Sequence, residues 1–409
     1  MQPVSPEERA ASYVGRLVSQ RYRLLSLIGA GGMASVFRAQ DLGGNTFALK
    51  IMYTELLEGE FAQRFERESM LALGLSHPHV VPTVDAGRDY ELGLHFLVMP
   101  FLAGQDVDNV LEKHGALECE CAVRIALQAA RGLAAAHALG IVHRDIKPGN
   151  LLLDPQGAAL VVRVCDFGIA KQMSATGGDS LTATGRQLGT PDYASPEQLR
   201  NAKASDQRTD VWGLGATLYH LLCGVPPFGQ LESVFDVIAA IISEPPPPIQ
   251  ERAPWVEPGL AEVVHRAMNR DPKLRFATMN DFANALRPFS GGHEQLDDTQ
   301  IRSISKRSRE RVAARVQDTS RAASAPAASA PAFKVPAARA AAPDPASANA
   351  KPSKEARARA ASPAAAKSEK KPRAKTEPTH EPKGSAVLGL ALIVLGVLGA
   401  TAGYWLTRH

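Results

Sequence analysis

The sequence predicts an α+β domain that is followed by a polar linker and a single apolar helix. Residues 23–39 alternate apolar and polar side chains around a glycine-rich turn, which is the pattern of two antiparallel strands. Residues 119–140 are alanine-rich with helical spacing and end at a glycine, as expected of a long buried helix. Near residue 290 the composition changes to Ala, Pro, Ser, Lys and Arg, so only the part before it is able to bury a core.

The charge is divided between these two parts. Residues 302–383 contain 19 Lys and Arg against 7 Asp and Glu, a net charge of 19 − 7 = +12, so the rest of the chain carries 4 − 12 = −8. A basic tail joined to an acidic-leaning domain favours contact with anionic surfaces and argues against a nucleic-acid-binding domain. The four cysteines form no CxxC pair and no zinc spacing, which predicts reduced cytosolic thiols. Glu7, Glu8 and Arg9 occupy the place of the apolar core that a signal peptide needs.

The glycine-rich turn and the next strand point to a phosphate-bearing ligand. The backbone amides of the turn at 29–36 can close over phosphates, because glycines hold no Cβ between the backbone and the phosphate oxygens. Taken alone, such a turn is as often only a hairpin. The apolar strand 47–51 contains one charge, Lys50, which needs a partner. Glu68, on the amphipathic helix predicted for 60–75, is the natural partner; the alternative is that Glu68 is one of several solvated helix charges.

The most informative stretch is His-Arg-Asp-Ile-Lys-Pro-Gly-Asn at 143–150, followed by Asp-Phe-Gly at 166–168. Phosphoryl transfer needs an acceptor for the proton of the attacking hydroxyl, a cation for the γ-phosphate and hard oxygen ligands for Mg²⁺. Asp145 suits the first role and Lys147 the second. Asn150 and Asp166 suit the third, with Mn²⁺ as an alternative ion. His143 is interpreted as a scaffold, because the base role belongs to Asp145.

These motifs and their order resemble the protein kinases of the serine/threonine branch, and the Gly-Gly-Met-Ala sequence at 31–34 is similar to bacterial members. The resemblance covers about residues 22–289, after an N-terminal extension at 1–21. It implies a bilobal protein kinase fold, with a small antiparallel β-sheet lobe and one helix at about 22–99 and a larger, mainly helical lobe at about 100–289. The chain departs from the family pattern at Ala34, where a third glycine is expected.

The resemblance also implies that ATP is the phosphoryl donor. Val36, Ala48 and Leu152 would enclose the adenine, Met99 would lie behind it, and Glu68 would aim Lys50 at the α- and β-phosphates. The hinge carries Pro100 where many relatives have an acidic residue. The full ATP-binding set implied by the resemblance is Ile28, Gly29, Ala30, Gly31, Gly32, Met33, Ala34, Ser35, Val36, Ala48, Lys50, Glu68, Met99 and Leu152.

The segment 166–197 resembles a kinase activation segment, whose phosphorylation would give Arg144 an anionic partner. Thr182 and Thr184 have the spacing from Thr190 of autophosphorylation sites in bacterial relatives; Ser180, Thr176 and Ser174 are weaker candidates. Thr190, in the substrate-docking loop, would with Lys147 favour Ser or Thr hydroxyls of protein substrates. The resemblance further implies that Asp210 hydrogen-bonds the backbone under the catalytic loop and that Arg275 pairs with Glu197.

The C-terminal part predicts a membrane tether. Residues 290–385 have the composition of a disordered linker, and about 95 such residues span on the order of 50 Å. Residues 386–406 then provide 21 residues without a charge. A helix of that length is roughly 31 Å long, which suits a single-pass transmembrane helix.

The charges around the span predict its orientation. Six Lys and Arg lie between 367 and 383, whereas only Arg408 follows, in a short external tail at 407–409. The kinase domain should therefore be cytoplasmic, at a bacterial inner membrane. Gly399 and Gly403 share one face of the helix, which suggests self-association; a plain lipid-facing span is the alternative.

Two other functions compete with a membrane-tethered Ser/Thr kinase. A pseudokinase that acts as a membrane scaffold is disfavoured by the intact set of Lys50, Glu68, Asp145, Asn150 and Asp166. A kinase of small metabolites is disfavoured by Lys147 and the docking loop at 189–197.

Overall fold

The computed structural model describes residues 5–31, 34–53, 60–167, 191–201 and 205–301. The chain divides into two compact units, 1–330 and 331–409, and the second lies outside the described residues. The predictions for Thr182, Thr184 and Thr190, and for the span 386–406, also fall outside them. No helix within the described ranges is long and apolar enough to cross a bilayer.

The small lobe is built on an antiparallel sheet with the strand order β1-β2-β3-β4-β6-β5. Its strands are Leu17–Val18 (β1), Tyr22–Ala30 (β2), Ala34–Gln40 (β3), Thr46–Tyr53 (β4), Asp85–Asp89 (β5) and Leu94–Pro100 (β6). Helix α2, Glu60–Leu73, follows β4. The predicted pair of strands around the glycine-rich turn is therefore confirmed as β2 and β3.

The N-terminal residues belong to this lobe. Helix α1, Pro6–Ala11, begins with a capping box between Ser5 and Glu8, which satisfies two backbone amides of its first turn. Ala10 is fully buried in the same apolar core as strand residues such as Phe37 and Ile51. Residues 1–21 were predicted to be an extension, because no motif marks them, whereas residues 5–21 pack onto the sheet.

The large lobe is mainly helical. Its helices are Val107–His114 (α3), Cys119–Ala138 (α4), Pro196–Asn201 (α5), Arg208–Cys223 (α6), Val234–Ser243 (α7), Ile249–Arg252 (α8), Pro258–Ala267 (α9) and Met279–Leu286 (α10). The predicted long buried helix is α4, and it packs with α6 in one apolar core that includes Trp212. A second sheet, of order β10-β9-β8-β7, consists of Gln105–Asp106 (β7), Leu151–Gln156 (β8), Ala159–Val164 (β9) and Leu296–Asp297 (β10).

Residues 290–301, which we call the C-terminal strap, differ from the prediction of a disordered linker that begins at 290. Strand β10 in the strap pairs antiparallel with β9, and Leu296 and Ile301 are buried at 2% and 5% exposure. Gln128 donates from Nε2 to the carbonyl of Glu294 at 2.8 Å, and Arg131 forms an ion pair with the Glu294 carboxylate at 2.6 Å. Composition failed at this boundary because two buried apolar side chains are enough to hold so short a segment.

The two lobes are tied together behind the cleft by backbone hydrogen bonds to the end of β9. The amide of Val81 donates to the carbonyl of Val164 at 2.9 Å, and the amide of Val164 donates to the carbonyl of His79 at 3.0 Å. Asp166 follows Val164 by two residues, so this connection places it at the junction of the lobes.

Candidate active site

The strand register brings most of the predicted nucleotide-binding side chains onto one face of the small-lobe sheet. Val36 pairs with Lys50, and Ala48 pairs with Met99. Paired residues of an antiparallel ladder share a face, and so do residues two apart on one strand. Val36, Ala48, Lys50 and Met99 therefore line the same side.

The glycine-rich turn is described up to Gly31 and again from Ala34, so Gly32 and Met33 lie outside the described residues. Gly31 donates its amide to the carbonyl of Ala34 at 2.9 Å, and Gly29 pairs with Val36. Ile28 is 53% exposed on β2, and Ala30 ends that strand. Leu152 lies half-buried on β8 in the other lobe.

Ser35 is a member of the predicted set whose side chain lies on the other face of the sheet. Its side chain is fully buried and lies 2.8 Å from the Tyr53 hydroxyl, on the face of the sheet opposite Val36. The Ser35 side chain therefore points away from a ligand under the turn. The resemblance identified residues 28–36 as one binding segment. It did not predict which face of the sheet each side chain occupies.

Lys50 forms an ion pair with Asp166 across the cleft, with Nζ 3.0 Å from Oδ1. Burial lowers the pKa of Lys50, but the neighbouring Asp166 carboxylate more than offsets it, so the net shift is upward. Burial likewise raises the pKa of Asp166, and the charge and hydrogen bond of Lys50 bring it below its usual value. Both groups are therefore charged at neutral pH. Glu68 lies half-buried on α2, and its pairing with Lys50 stays a prediction.

The predicted contact between Asp210 and the catalytic loop is confirmed. The Asp210 carboxylate, 1% exposed, accepts from the amide of His143 at 2.8 Å and from the amide of Arg144 at 2.7 Å. It also lies 2.7 Å from Nε2 of His137. These contacts hold Arg144 in the left-handed conformation at φ 64°, which a residue with a Cβ adopts only when its surroundings impose it.

His143 is a neutral, positioning side chain, as the sequence analysis expected. Its Nδ1 accepts from the amide of Asp145 at 3.2 Å, so the ring proton lies on Nε2, which donates to the carbonyl of Cys165 at 2.8 Å. Burial lowers the pKa of His143, with Asp210 opposing that shift. The imidazole thereby joins the loop that carries Asp145 to the residue that precedes Asp166.

Asp145, Lys147 and Asn150 form one hydrogen-bonded group. Lys147 Nζ lies 3.3 Å from Asp145 Oδ2, and Asn150 Nδ2 donates to the Asp145 carbonyl at 2.7 Å and to its Oδ2 at 3.2 Å. The Asn150 carbonyl accepts from the amide of Cys165 at 3.0 Å, which brings Asn150 beside Asp166. The four side chains that the sequence assigned to phosphoryl transfer are thus brought together.

The oxygens of this group suit a small divalent cation. Because Asn150 uses its amide nitrogen on Asp145, its amide oxygen is directed elsewhere, and the Asp166 side chain is still 35% exposed. Among the described residues no group of three or more His, Cys, Asp or Glu side chains could hold a metal. A pair of protein oxygens is nevertheless a fit for Mg²⁺, which usually keeps several waters and takes the remaining ligands from phosphate.

The end of the activation segment is anchored to the large lobe by the predicted ion pair between Glu197 and Arg275, which is confirmed. Arg275 donates from Nη1 to Oε1 and from Nη2 to Oε2, both at 2.7 Å, and its side chain is fully buried. Burial raises the pKa of Glu197, but the hydrogen bonds and charge of Arg275 more than offset this effect. The net shift of the Glu197 pKa is downward, so the pair stays charged. Gln198 donates to the carbonyl of Arg144 at 2.7 Å. The role of Gln198 was not predicted, because no residue of the surrounding motif points to a contact with the catalytic loop.

A sheet lobe and a helical lobe that meet at a lysine, two aspartates and an asparagine are the architecture of a nucleotide-dependent phosphotransferase. The family described as Protein kinase domain matches residues 22–285. The chain therefore belongs to the protein kinase family.

Relatives of this chain are bacterial serine/threonine kinases. Serine/threonine-protein kinase pkn3 of Myxococcus xanthus is 36% identical over 296 residues, which are 71% of this chain and 54% of the relative. Serine/threonine-protein kinase PknA of Mycobacterium tuberculosis is 35% identical over 284 residues, 68% of this chain and 63% of the relative. The crystal structure of the Mycobacterium tuberculosis PknI kinase domain is similar with a TM-score of 0.52 and 27% identity, covering 67% of this chain and 98% of that chain. The chain thus spans about half to two thirds of these two curated relatives.

Proposed function

We propose that this protein is an ATP-dependent serine/threonine protein kinase. The observation that carries the proposal is the hydrogen-bonded group of Asp145, Lys147 and Asn150, joined through Cys165 to the ion pair of Lys50 and Asp166. The named relatives, which are serine/threonine-protein kinases, support the same activity.

Each member of the group has a role in the proposed reaction. Asp145 accepts the proton of the substrate hydroxyl, and Lys147 offsets charge on the transferred phosphoryl group. Lys50 holds the α- and β-phosphates, and Asn150 and Asp166 hold Mg²⁺. The ion, when bound, neutralises charge on the phosphate oxygens. The face that carries Val36, Ala48 and Met99 receives the adenine, and the Lys147 and Thr190 pair favours aliphatic hydroxyls of proteins.

The experiment that tests this proposal measures phosphate transfer by the full chain. With Mg-ATP, the wild-type protein should phosphorylate itself or a general protein substrate on Ser or Thr. Lys50→Met, Asp145→Asn and Asp166→Asn should each reduce the rate by at least about 10²-fold, since each removes a group that acts in the transition state.

The contrary outcomes separate the alternatives. If the wild-type protein binds ATP but transfers no phosphate to protein, the hypothesis of a pseudokinase scaffold is favoured. Transfer to small hydroxyl compounds and not to protein would favour a metabolic kinase. Leu42→Ala is a suitable control, because Leu42 is 78% exposed in the turn that joins β3 to β4, at the end of that ladder remote from the glycine-rich turn.

We propose further that phosphorylation at Thr182 or Thr184 activates the enzyme. The support is Arg144, whose Nε is buried and has no hydrogen-bond partner among the described residues. A buried guanidinium nitrogen without an acceptor is costly, and a phosphate group is the strongest acceptor that the activation segment could supply.

The C-terminal residues are proposed to hold the kinase at the cytoplasmic face of a membrane, with residues 386–406 as the anchor. The support is the uncharged sequence of 21 residues and the excess of Lys and Arg before it. Self-association through Gly399 and Gly403 would then promote phosphorylation of one molecule by another.

A further inference from the structure

A buried pair of hydroxyl groups lies directly behind the glycine-rich turn. Ser35 Oγ and Tyr53 Oη are 2.8 Å apart, and the two residues are 0% and 4% exposed. Nothing in the motif of the turn requires either hydroxyl. The two buried hydroxyl groups satisfy each other, because each is the hydrogen-bond partner of the other.

This hydrogen bond joins the strand that leaves the turn to the strand that carries Lys50. Ser35 on β3 pairs with Ile51 on β4, and Tyr53 lies two residues beyond Ile51 on the same face. The contact is therefore a diagonal cross-strand pair at the end of the ladder nearest the turn. Lys50 occupies the opposite face of the same strand, where it meets Asp166. A displacement of Ser35 relative to the strand that carries Lys50 must strain or break the pair of hydroxyls.

Tyr53 is in turn held by the N-terminal helix α1. The Arg9 guanidinium lies over the Tyr53 ring at 4.9 Å from the centroid, and the Tyr13 ring lies 6.1 Å away. Ala10, between them in sequence, is buried in the apolar core of the lobe. A ring that packs against a guanidinium and a second ring keeps one rotamer, so its hydroxyl stays aimed at Ser35.

We infer that α1, Tyr53 and Ser35 form a loop clamp, a set of positioning residues that holds residues 34–36, where the chain leaves the glycine-rich turn, in place beside the strand that carries Lys50. The inference rests on the proposed function as an ATP-dependent kinase. A turn that is fixed at the end where the chain leaves it loses less conformational freedom when its amides bind phosphate, so the clamp increases nucleotide affinity. Ser35 and Tyr53 do not contact the reacting atoms, and the clamp affects binding more than the chemical step.

The test uses the full chain with Tyr53→Phe, Ser35→Ala and the double variant. Each single variant should raise KM for ATP and the Kd for Mg-ADP by about 3- to 10-fold, the equivalent of one ordinary hydrogen bond, while kcat changes by less than about 2-fold. Each should also lower the melting temperature, because one hydroxyl is left buried without a partner.

The double variant separates positioning from simple stability. When both hydroxyls are removed, no buried group is left unsatisfied, so the melting temperature should recover toward the wild-type value. The connection between turn and strand is still missing, so the raised KM for ATP should persist. If KM and melting temperature recover together, the hydroxyl pair only stabilises the lobe and the clamp is refuted.

Tyr22→Phe is the matched control. The Tyr22 hydroxyl donates to Asp85 at 2.7 Å in the same lobe, at the end of the sheet remote from the turn. This variant should lose stability without a change in KM for ATP. Arg9→Ala should shift KM in the same direction as Tyr53→Phe. A wild-type protein that neither binds nor uses ATP would defeat the proposed function, whereas an active wild type with an unchanged Tyr53→Phe variant would defeat the clamp alone.

Discussion

At the scale of single residues, the site depends on a few buried groups that each satisfy several partners. Asp210 accepts from two consecutive amides of the catalytic loop and contacts His137, while His143 uses both ring nitrogens to join Asp145 to Cys165. None of these groups needs to contact a substrate. They fix where Asp145 and Asp166 lie, and each would leave a buried donor or acceptor unpaired if removed.

His220 makes a comparable contact at the docking loop, and it predicts a pH dependence. Its Nδ1 lies 2.7 Å from the Tyr193 hydroxyl, and burial lowers the pKa of His220 from 6.5 to about 4. Between pH 6.5 and about 4 the unfolded chain binds a proton at this residue and the folded chain does not. The free energy of unfolding should therefore fall as pH falls through this window, by up to about 1.4 kcal/mol per pH unit from this histidine.

The measurement compares urea unfolding of the wild type and His220→Asn at several pH values. Asparagine keeps a polar atom near the position of Nδ1 for Tyr193 but does not titrate. The stability difference between the two proteins should be constant above pH 6.5 and should shift in favour of the variant below it. Other histidines with lowered pKa values, such as His79 and His265, affect both proteins equally and cancel in the difference. Parallel curves down to pH 4 would contradict the prediction.

Most of the polar residues of the site could be predicted from the sequence, because phosphoryl transfer restricts which residue types can occur at which spacing. Asp145, Asn150 and Asp166 were predicted from the motif at 143–168, and Lys50 from its place as the one charge in an apolar strand. The face on which Ser35 lies was not predictable, since it depends on the strand register and on a tyrosine that lies 18 residues further along the chain. The contact of Gln198 with the catalytic loop likewise depends on tertiary structure.

At the scale of secondary-structure elements, the folded domain extends further along the chain than the predicted boundary at residue 290. The C-terminal strap adds β10 to the sheet whose next strand, β9, leads to Asp166. Helical and strand periodicity needs several residues to be recognised, and the strap offers only two buried apolar side chains. Helix α1 was not predicted for the same reason, because it is only six residues long and its start is marked mainly by the Ser5 capping box.

The strap predicts a large effect of truncating one side chain. Leu296 is 2% exposed within the core of the large lobe, so Leu296→Ala should lower the free energy of unfolding by about 2–4 kcal/mol through lost burial and the cavity left behind. Leu274 is 60% exposed, and Leu274→Ala, the same chemical change, should alter it by less than about 0.5 kcal/mol. Denaturant unfolding of the full chain measures both. Equal effects of the two substitutions would mean that the strap does not pack against the lobe in solution.

At the scale of the whole molecule, segments at both ends of the domain pack against its two sheets. Helix α1 packs against the small-lobe sheet, and the C-terminal strap pairs with β9. The N-terminal helix reaches the turn through Tyr53, and the strap reaches β9 through Leu160. A chain cut to residues 22–289, the extent of the family resemblance, would lack both segments. Activity measured on such a fragment would therefore understate that of the full chain.

The proposed tether gives the last prediction, which concerns phosphorylation between molecules. Confining kinases to one membrane raises their effective concentration, so weak association of the spans should increase phosphorylation at Thr182 and Thr184. Gly399→Ile with Gly403→Ile would place branched side chains on the face where two helices approach, and should reduce both crosslinked dimer and phosphorylation at matched expression. Thr401→Ile adds a similar side chain on the opposite face and should leave both unchanged. Insertion of all variants is checked by membrane fractionation, and a double-glycine variant that dimerises and is phosphorylated like Thr401→Ile would show that the span only anchors the kinase.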